Sequence, residues 1–425
     1  MRTIRLARSL SPAVQVLLVN TFGIAFGFFV LIPFLATYLR DEVHLTAAAV
    51  GAILGLRVFC QQGLTLVGGT AADLFGARPV IIAGCALRCV AFGMFAFVDQ
   101  VAGLVAASML VGLAGALFSP AARAYIAVEA GDRRLDAFAL QNIASTVGAL
   151  TGPLLGSVLV AVDFRWTAGV SAGIFAVLTI WQCFALPYRP VEPLGTKALG
   201  RAVREAVNNR SFLAFAVATS VLFLLYNQFY LSLPLEATRV TGWAGAAGCV
   251  FLVSTLVTLG TQLRMIRWLR RRLAPGVAIV WGLVAVAVSF VPLAWSTTRE
   301  PTESSGGLSL ESAAGILVAA VPVLVATLLL TLGLDVAQPY ALDLVSGFAP
   351  VGLTGTYIGL ATTVAGLTTA LGNTAAGYAD DLGRQWATPW ISPAMLGLLA
   401  VAAAVAVAVL QRRGRLSLDQ PAPAA

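Results

Sequence analysis

The sequence predicts an all-α integral membrane protein with twelve transmembrane helices, arranged as two six-helix pseudo-repeats. Three observations carry the prediction. Of the 425 residues, 59% are hydrophobic and 11% charged, where a soluble domain has about 45–50% and about 25%. Apolar runs of helical length recur twelve times along the chain. Short blocks of sequence from the first half then return in the same order in the second. Such a composition excludes a soluble enzyme, a disordered chain and a secreted disulfide scaffold.

Taken in order, the spans are expected at 14–38, 46–71, 79–98, 103–128, 137–161, 166–187, 211–234, 243–263, 276–296, 314–340, 353–378 and 389–410. Each is long enough to cross ~30 Å of hydrocarbon at about 1.5 Å per residue. Helix 1 carries no small-residue cleavage site and is too long for a signal-peptide core, so it is expected to be retained. Basic residues orient the spans. Arg2, Arg5 and Arg8 precede helix 1, Arg78 follows helix 2, and Arg133 and Arg134 follow helix 4. Arg189, Lys197, Arg201, Arg204 and Arg210 lie between helices 6 and 7. Arg264, Arg267, Arg270, Arg271 and Arg272 follow helix 8, and Arg412, Arg413 and Arg415 end the chain. These make 19 of the 27 basic residues on one side. Arg40, Arg165, Arg239, Arg299 and Arg384 fall on the other, and Arg57, Arg88 and Arg123 within spans. The positive-inside rule then places both termini in the cytoplasm of a multi-pass protein of the cytoplasmic membrane. The net charge of +8 is topology rather than a nucleic-acid surface.

The polar segment 188–210 divides the chain. It separates an N-terminal bundle, 1–187, from a C-terminal bundle with a cytoplasmic tail, 211–425. Within it, Ala198–Val207 sets Leu199, Ala202, Val203 and Ala206 opposite arginines, the pattern of an interfacial helix. Absences narrow the chemistry further. The one lysine, Lys197, stands in Leu194-Gly195-Thr196-Lys197-Ala198, so there is no G-K-[ST] phosphate loop and ATP-driven transport by this chain is not expected. With His44 the one histidine, neither a His-based metal site nor a Ser-His-Asp hydrolase is expected. Nor is a cofactor. The five cysteines fall in apolar runs and read as small buried residues.

Three blocks carry the repeat. Ala144-Ser145-Thr146-Val147-Gly148-Ala149-Leu150-Thr151 in helix 5 parallels Ala361-Thr362-Thr363-Val364-Ala365-Gly366-Leu367-Thr368 in helix 11. Leu113 and Pro120 of helix 4 parallel Leu332 and Pro339 of helix 10. Pro33, Ala36 and Thr37 of helix 1 parallel Pro234, Ala237 and Thr238 of helix 7. Six spans are an even number, so both copies share one orientation, with a site expected between them near the midplane.

Local motifs complete the reading. Gly69-Thr70-Ala71-Ala72-Asp73-Leu74-Phe75-Gly76-Ala77-Arg78 joins helices 2 and 3. Gly148, Gly152 and Gly156 line one face of helix 5 at four-residue steps, with Pro153 after the second and Ser157 after the third. Helix 2 reads Gly55-Leu56-Arg57-Val58-Phe59-Cys60-Gln61-Gln62-Gly63, helix 3 Ala86-Leu87-Arg88, and helix 4 Leu117-Phe118-Ser119-Pro120-Ala121-Ala122-Arg123. On these residues the chain resembles the major facilitator superfamily over nearly its whole length, and within it the MdtH-type branch of twelve-helix multidrug exporters. The resemblance implies the loop signature G-x-x-A-D-R-x-G-R-[KR] at Gly69, Asp73, Gly76 and Arg78, with Leu74 and Ala77 replacing two usual basic residues. Arg123 is the cation expected near Asp73. It also implies the antiporter motif in helix 5, which in the family goes with export. That branch carries an acidic residue before the Asn equivalent to Asn20. Here Val19 stands in that place, so its proton site does not transfer.

Buried polar residues nominate the working groups. Arg57 and Arg88 lie near mid-membrane, each at a cost of about 2.5–3.5 kcal/mol. Neither can face lipid. Arg57 is expected on the transport pathway, with a structural tie to a neighbouring helix as the alternative. For Arg88 the structural role is preferred. Gln61 lies four residues after Arg57 on the same face, with Gln62 adjacent, and Tyr226, Asn227 and Tyr230 form an aromatic and amide cluster in helix 7. These, with Asn20 and Gln338, are the expected substrate-binding residues. Asp335 in helix 10 is the carboxylate clearly inside a span. It is the expected proton carrier, with a structural ion pair as the alternative. Glu236 is expected at a solvated helix end. After helix 11, Ala379-Asp380-Asp381-Leu382-Gly383-Arg384 echoes the helix 2–3 signature on the outer side, a helix-end turn with a gating role in view.

The function expected is secondary active export of amphipathic, drug-like or lipid-like small molecules by alternating access. Its partners are the substrate, protons and the bilayer, and the protein is expected to be monomeric. The unpaired arginines bias the substrate towards neutral or anionic molecules. One alternative is transport of an anionic metabolite or lysolipid. Another is a receptor or membrane enzyme on the same fold that moves nothing.

Overall fold

The computed structural model describes all residues except 1–9, 131–133, 188–202, 244, 271, 301–309, 350–353, 415 and 417–425. The described residues contain helices and no strand. Helix 1 is Pro12–Thr37, helix 3 Ala77–Phe97, helix 4 Val101–Ala130, helix 5 Arg134–Val160 and helix 6 Phe164–Ala185. Helix 8 is Ala246–Arg270, helix 9 Pro275–Thr297, helix 10 Leu310–Gly347, helix 11 Thr354–Gln385 and helix 12 Ile391–Arg412. Helices 2 and 7 are each made of two pieces, Ala47–Gly63 with Thr65–Phe75, and Arg210–Tyr226 with Ser232–Thr241. Each helix coincides with one predicted span. Among the described residues, nine helices are long and apolar enough to cross a membrane by composition alone. Helices 2, 8 and 11 are not among them. Helix 2 is interrupted at Leu64, helix 8 ends in arginines, and helix 11 is rich in Gly and Thr. Helices 2 and 11 pack extensively on each other.

The break in helix 7 has a local cause. Pro234 has no N–H to donate to Tyr230, and its ring crowds that carbonyl. The chain passes through a 3₁₀ turn, Asn227–Phe229, before the helix resumes. Side-chain amides cover the transition: Asn227 Nδ2 donates to the Phe223 carbonyl at 2.9 Å and Gln228 Nε2 to that of Leu224 at 3.0 Å. Pro33, its repeat counterpart, sits in an unbroken helix that closes in a π-turn, Tyr38–Glu42.

Packing repeats with the sequence. Helix 1 packs on 5 and 6, 3 on 4 and 6, and 2 on 4. In the second half 7 packs on 11 and 12, 9 on 10 and 12, and 8 on 10. Adding six to each helix number converts one list into the other. Contacts between halves follow the same symmetry, helix 2 with 11 and helix 8 with 5. The helix 5 glycines fit directly against the helix 1 backbone. A Cβ added at Gly148 or Gly152 would stand 2.7 Å from the Phe22 carbonyl oxygen or 2.8 Å from that of Phe26, and one at Gly156 would strike Val30.

One expectation needs correction. Cys60 and Cys85 are buried, but Cys183 is exposed on the outer surface of the bundle and Cys89 and Cys249 are half-buried. The predicted interfacial helix falls mostly outside the described residues, of which 203–208 are helical.

Candidate substrate cavity

A cavity of about 460 Å³ lies between the two halves. Helices 1 to 5 build its walls, and helix 7 covers it from the second half. Arg57, Gln61 and Gln62 project into it from helix 2, Arg88 from helix 3, and Arg123 from helix 4. Tyr226, Asn227 and Tyr230 face them from the broken region of helix 7. Phe28, Phe29, Phe118 and Phe223 supply the apolar wall.

The bundle end that carries Pro12 and Arg412 is here called the near side. Towards it, the cavity is lined by Gln141, Asn142 and Arg123, and the last two are exposed. On the far side, Phe29, Tyr230 and Phe251 from helices 1, 7 and 8 form an aromatic plug, with ring centroids 5.2–6.4 Å apart. Beyond the plug the halves are in close contact. A Cβ at Gly55 would stand 2.7 Å from the Ala370 carbonyl oxygen, and Gly51 abuts Asn373 as Gly377 abuts Ala47. Ser157 of helix 5 lies 3.5 Å from the carbonyl of Gly245, just before helix 8.

A carboxylate fastens this far side. Asp381 at the end of helix 11 accepts hydrogen bonds from the backbone N–H groups of Ala47 and Ala48 at 2.9 and 2.8 Å, and from Arg40 Nη1 at 3.2 Å. It therefore caps helix 2 from the opposite half, where the helix dipole favours a negative charge. Burial pushes its carboxyl pKa up. The hydrogen bonds from Ala48, Ala47 and Arg40 outweigh burial and hold it below the ordinary 3.8. Glu236 is also an anchor here and not a solvated helix end: it is buried, it accepts two hydrogen bonds of 2.7 Å from Arg239, and Ser296 donates to it at 2.5 Å.

The two central arginines are almost sealed, Arg57 at 2% and Arg88 at 5% exposure. Arg57 Cζ stands 5.7 Å from the Phe28 ring centroid and 5.5 Å from that of Tyr230. Arg88 Cζ lies 6.0, 5.7 and 5.7 Å from Phe28, Phe118 and Phe175. Gln61 Oε1 accepts from Arg57 Nη1 at 3.5 Å. Tyr226 and Tyr230 join hydroxyls at 3.2 Å.

Other expected site residues lie elsewhere. Asn20 is buried inside the first half, where its Oδ1 accepts from Gln182 Nε2 at 2.6 Å, and it does not line the cavity. Gln338 lines a separate groove bounded by Thr219, Phe223 and Thr362, among helices 7, 10 and 11. Both displacements follow from helix rotation, which turns these amides away from the central axis. Asp335 is half-buried outside the cavity lining, beside Thr258 of helix 8, with Oδ2 buried and without a hydrogen-bond partner.

In the helix 2–3 turn, Gly76 takes φ +89°, a value that favours glycine. Gly69 has open space out to Pro120 at 4.0 Å, and it is Gly68 that abuts helix 4. Arg78 Nη2 donates to the Cys183 carbonyl at 2.6 Å, tying helix 3 to the end of helix 6. The side chain of Asp73 lies outside the described residues, so its expected pairing with Arg123 does too. Phe28 and Phe175 escaped the sequence reading, since aromatics are common on all faces of these helices. Gln228, linked to Asn373 at 3.2 Å and Ser232 at 2.7 Å, escaped as a buried tie between helices 7 and 11.

Comparison with known proteins adds a family match, two relatives and two solved structures. A family model described as Major Facilitator Superfamily matches residues 17–373. An uncharacterized MFS-type transporter of Mycobacterium tuberculosis is 36% identical over 394 residues, 91% of each chain. Multidrug resistance protein MdtH of Edwardsiella ictaluri is 28% identical over 384 residues, 90% of each chain. Among solved structures, nucleoside transporter NupG has a TM-score of 0.79 at 14% identity, covering 94% of this chain and 99% of that one. A POT family transporter in complex with 5-aminolevulinic acid has a TM-score of 0.76 at 12% identity, covering 97% and 100%. At such identities the structural likeness speaks for the fold.

Proposed function

The chain belongs to the major facilitator superfamily, and from that premise we propose that it exports amphipathic small molecules from the cytoplasm by alternating access, coupled to proton influx. It is a multi-pass transporter-family protein and not an enzyme. The observation that carries the reading is the cavity between the halves, with exposed polar residues at its near side and a plug and helix contacts on its far side. The arginine distribution supports assigning the near side, with both termini, to the cytoplasm of the cytoplasmic membrane. In this reading residues 1–187 and 211–425 are two bodies that rock about the cavity, joined by 188–210. Their alternation breaks the helix 2–11 and 5–8 contacts on the far side. The helix 5 glycines and the MdtH relatives support export as the direction.

Asp335 is the proposed proton carrier. It is a carboxylate within a span, with a buried oxygen that has no hydrogen-bond partner among the described residues. Proteoliposomes with an imposed pH gradient test both claims. Wild-type protein is expected to move an amphipathic substrate against its concentration gradient when protons flow the opposite way. Asp335→Asn is expected to abolish accumulation while substrate exchange at equal pH persists. Accumulation unchanged by Asp335→Asn removes it from the coupling. A wild-type protein that moves nothing under any gradient overturns the transporter reading.

A further inference from the structure

We propose that Arg57 and Arg88 form a two-arginine subsite for the acidic group of the transported molecule, so that the cavity selects aromatic or apolar amphiphiles bearing a carboxylate, sulfonate or phosphate. The inference rests on the transporter reading and specifies its substrate.

The charge pattern of the protein runs opposite to what desolvation requires. Arg40, Arg165, Arg239 and Arg384, all on the far side, each hold a carboxylate, from Asp381, Asp99, Glu236 and Asp380 in turn. These arginines are less buried than Arg57 and Arg88, which have no acidic partner among the described residues. Buried cations need a counter-charge more than exposed ones do, because little water screens them. A guanidinium offers five N–H donors. Among the described residues, Arg57 spends one, on Gln61 at 3.5 Å, and Arg88 makes ring contacts and no hydrogen bond. The Nε of each is buried and without a partner.

Both groups line the same cavity, and both stand within 6.0 Å of one ring, Phe28. An anion between them would meet free donors from two helices, in the planar geometry that suits carboxylates and oxyanions. The rings around them would hold an aromatic or apolar body. Among the described residues, no carboxylate lines the cavity. A lipophilic cation entering this space would meet positive charge with nothing to offset it. The substrate is thus the counter-ion that the folded chain lacks.

The test uses one scaffold with three headgroups: 2-naphthoate, 2-naphthamide and 2-naphthyltrimethylammonium. Equilibrium binding to purified full-length protein is measured first, then flux in proteoliposomes. The carboxylate is expected to bind at least about tenfold more tightly than the amide, and the cation most weakly. Arg57→Gln and Arg88→Gln are each expected to remove that tenfold preference, so that the ratio of carboxylate to amide affinity falls towards one. Equal binding of all three ligands by the wild type overturns the proposal, and that comparison decides the case even if a variant fails to fold. Carboxylate affinity that survives both substitutions also overturns it. Arginine-dependent carboxylate binding without flux under any gradient upholds the subsite and overturns the transporter reading. Flux that favours the cation does the reverse.

Discussion

Replacing Asp381 by alanine tests how the far side is held shut. In the observed state its carboxylate caps helix 2 through Ala47 and Ala48 and meets Arg40. All three partners belong to the first half, so the contact is lost when the far side opens. A side-chain cap contributes about 0.5–2 kcal/mol, a charge at a partly buried helix end up to about 2, and an ion pair one-fifth exposed about 0–1. These overlap, since the cap and the dipole describe the same hydrogen bonds. About 2 kcal/mol is a fair working sum, and it corresponds to a roughly 30-fold shift towards the far-side-open state. Spin labels at Val162→Cys and Trp386→Cys, both exposed on the far side, report the opening in a cysteine-free background. The wild type is expected to show mainly the short distance, and Asp381→Ala a large long-distance population. An unchanged distance distribution would refute the reasoning. The pH dependence has a definite sign. The carboxyl is held below 3.8 in the closed state, so its contribution is fully present above 3.8 and fades as pH falls through the lowered value. Closure by this contact should therefore be the same at pH 8 and pH 5.

Three further predictions follow from packing and charge. Gly152→Leu would drive a side chain into the Phe26 carbonyl, 2.8 Å from the first added carbon. A loss of about 1–3 kcal/mol is expected, read as a lower midpoint in thermal size-exclusion assays, with transport reduced. Glu236→Gln strips the buried partner from Arg239 and should cost about 3 kcal/mol in the same assay, while Glu236→Asp recovers part of it. Gly76→Ala at φ +89° should cost about 1–2 kcal/mol, and a midpoint equal to wild type would show that the turn relaxes freely.

The positions of the spans, their number and their alternation were legible in the sequence because hydropathy is local: a run of apolar residues crosses hydrocarbon whatever its neighbours are. The repeat was legible too, since Pro120 and Pro339 or Gly148 and Ala365 keep their order, and the packing list doubles in the same way. Arg57 and Arg88 could be placed in the interior from cost alone, because a lipid-facing arginine near mid-membrane is too expensive. What the tertiary structure decided is which way each helix is turned. A span that is apolar on nearly every face carries almost no signal of its inward side. Asn20 therefore looked like a cavity residue until Gln182, 162 positions away, proved to hold it inside the first half. Gln338 was turned into a different groove by the same freedom. Glu236 read as a solvated end and Asp381 as part of a helix-end turn, and folding set them against Arg239 and the start of helix 2. Span and side follow from residues close together in the chain, whereas face and partner depend on residues brought together only by packing.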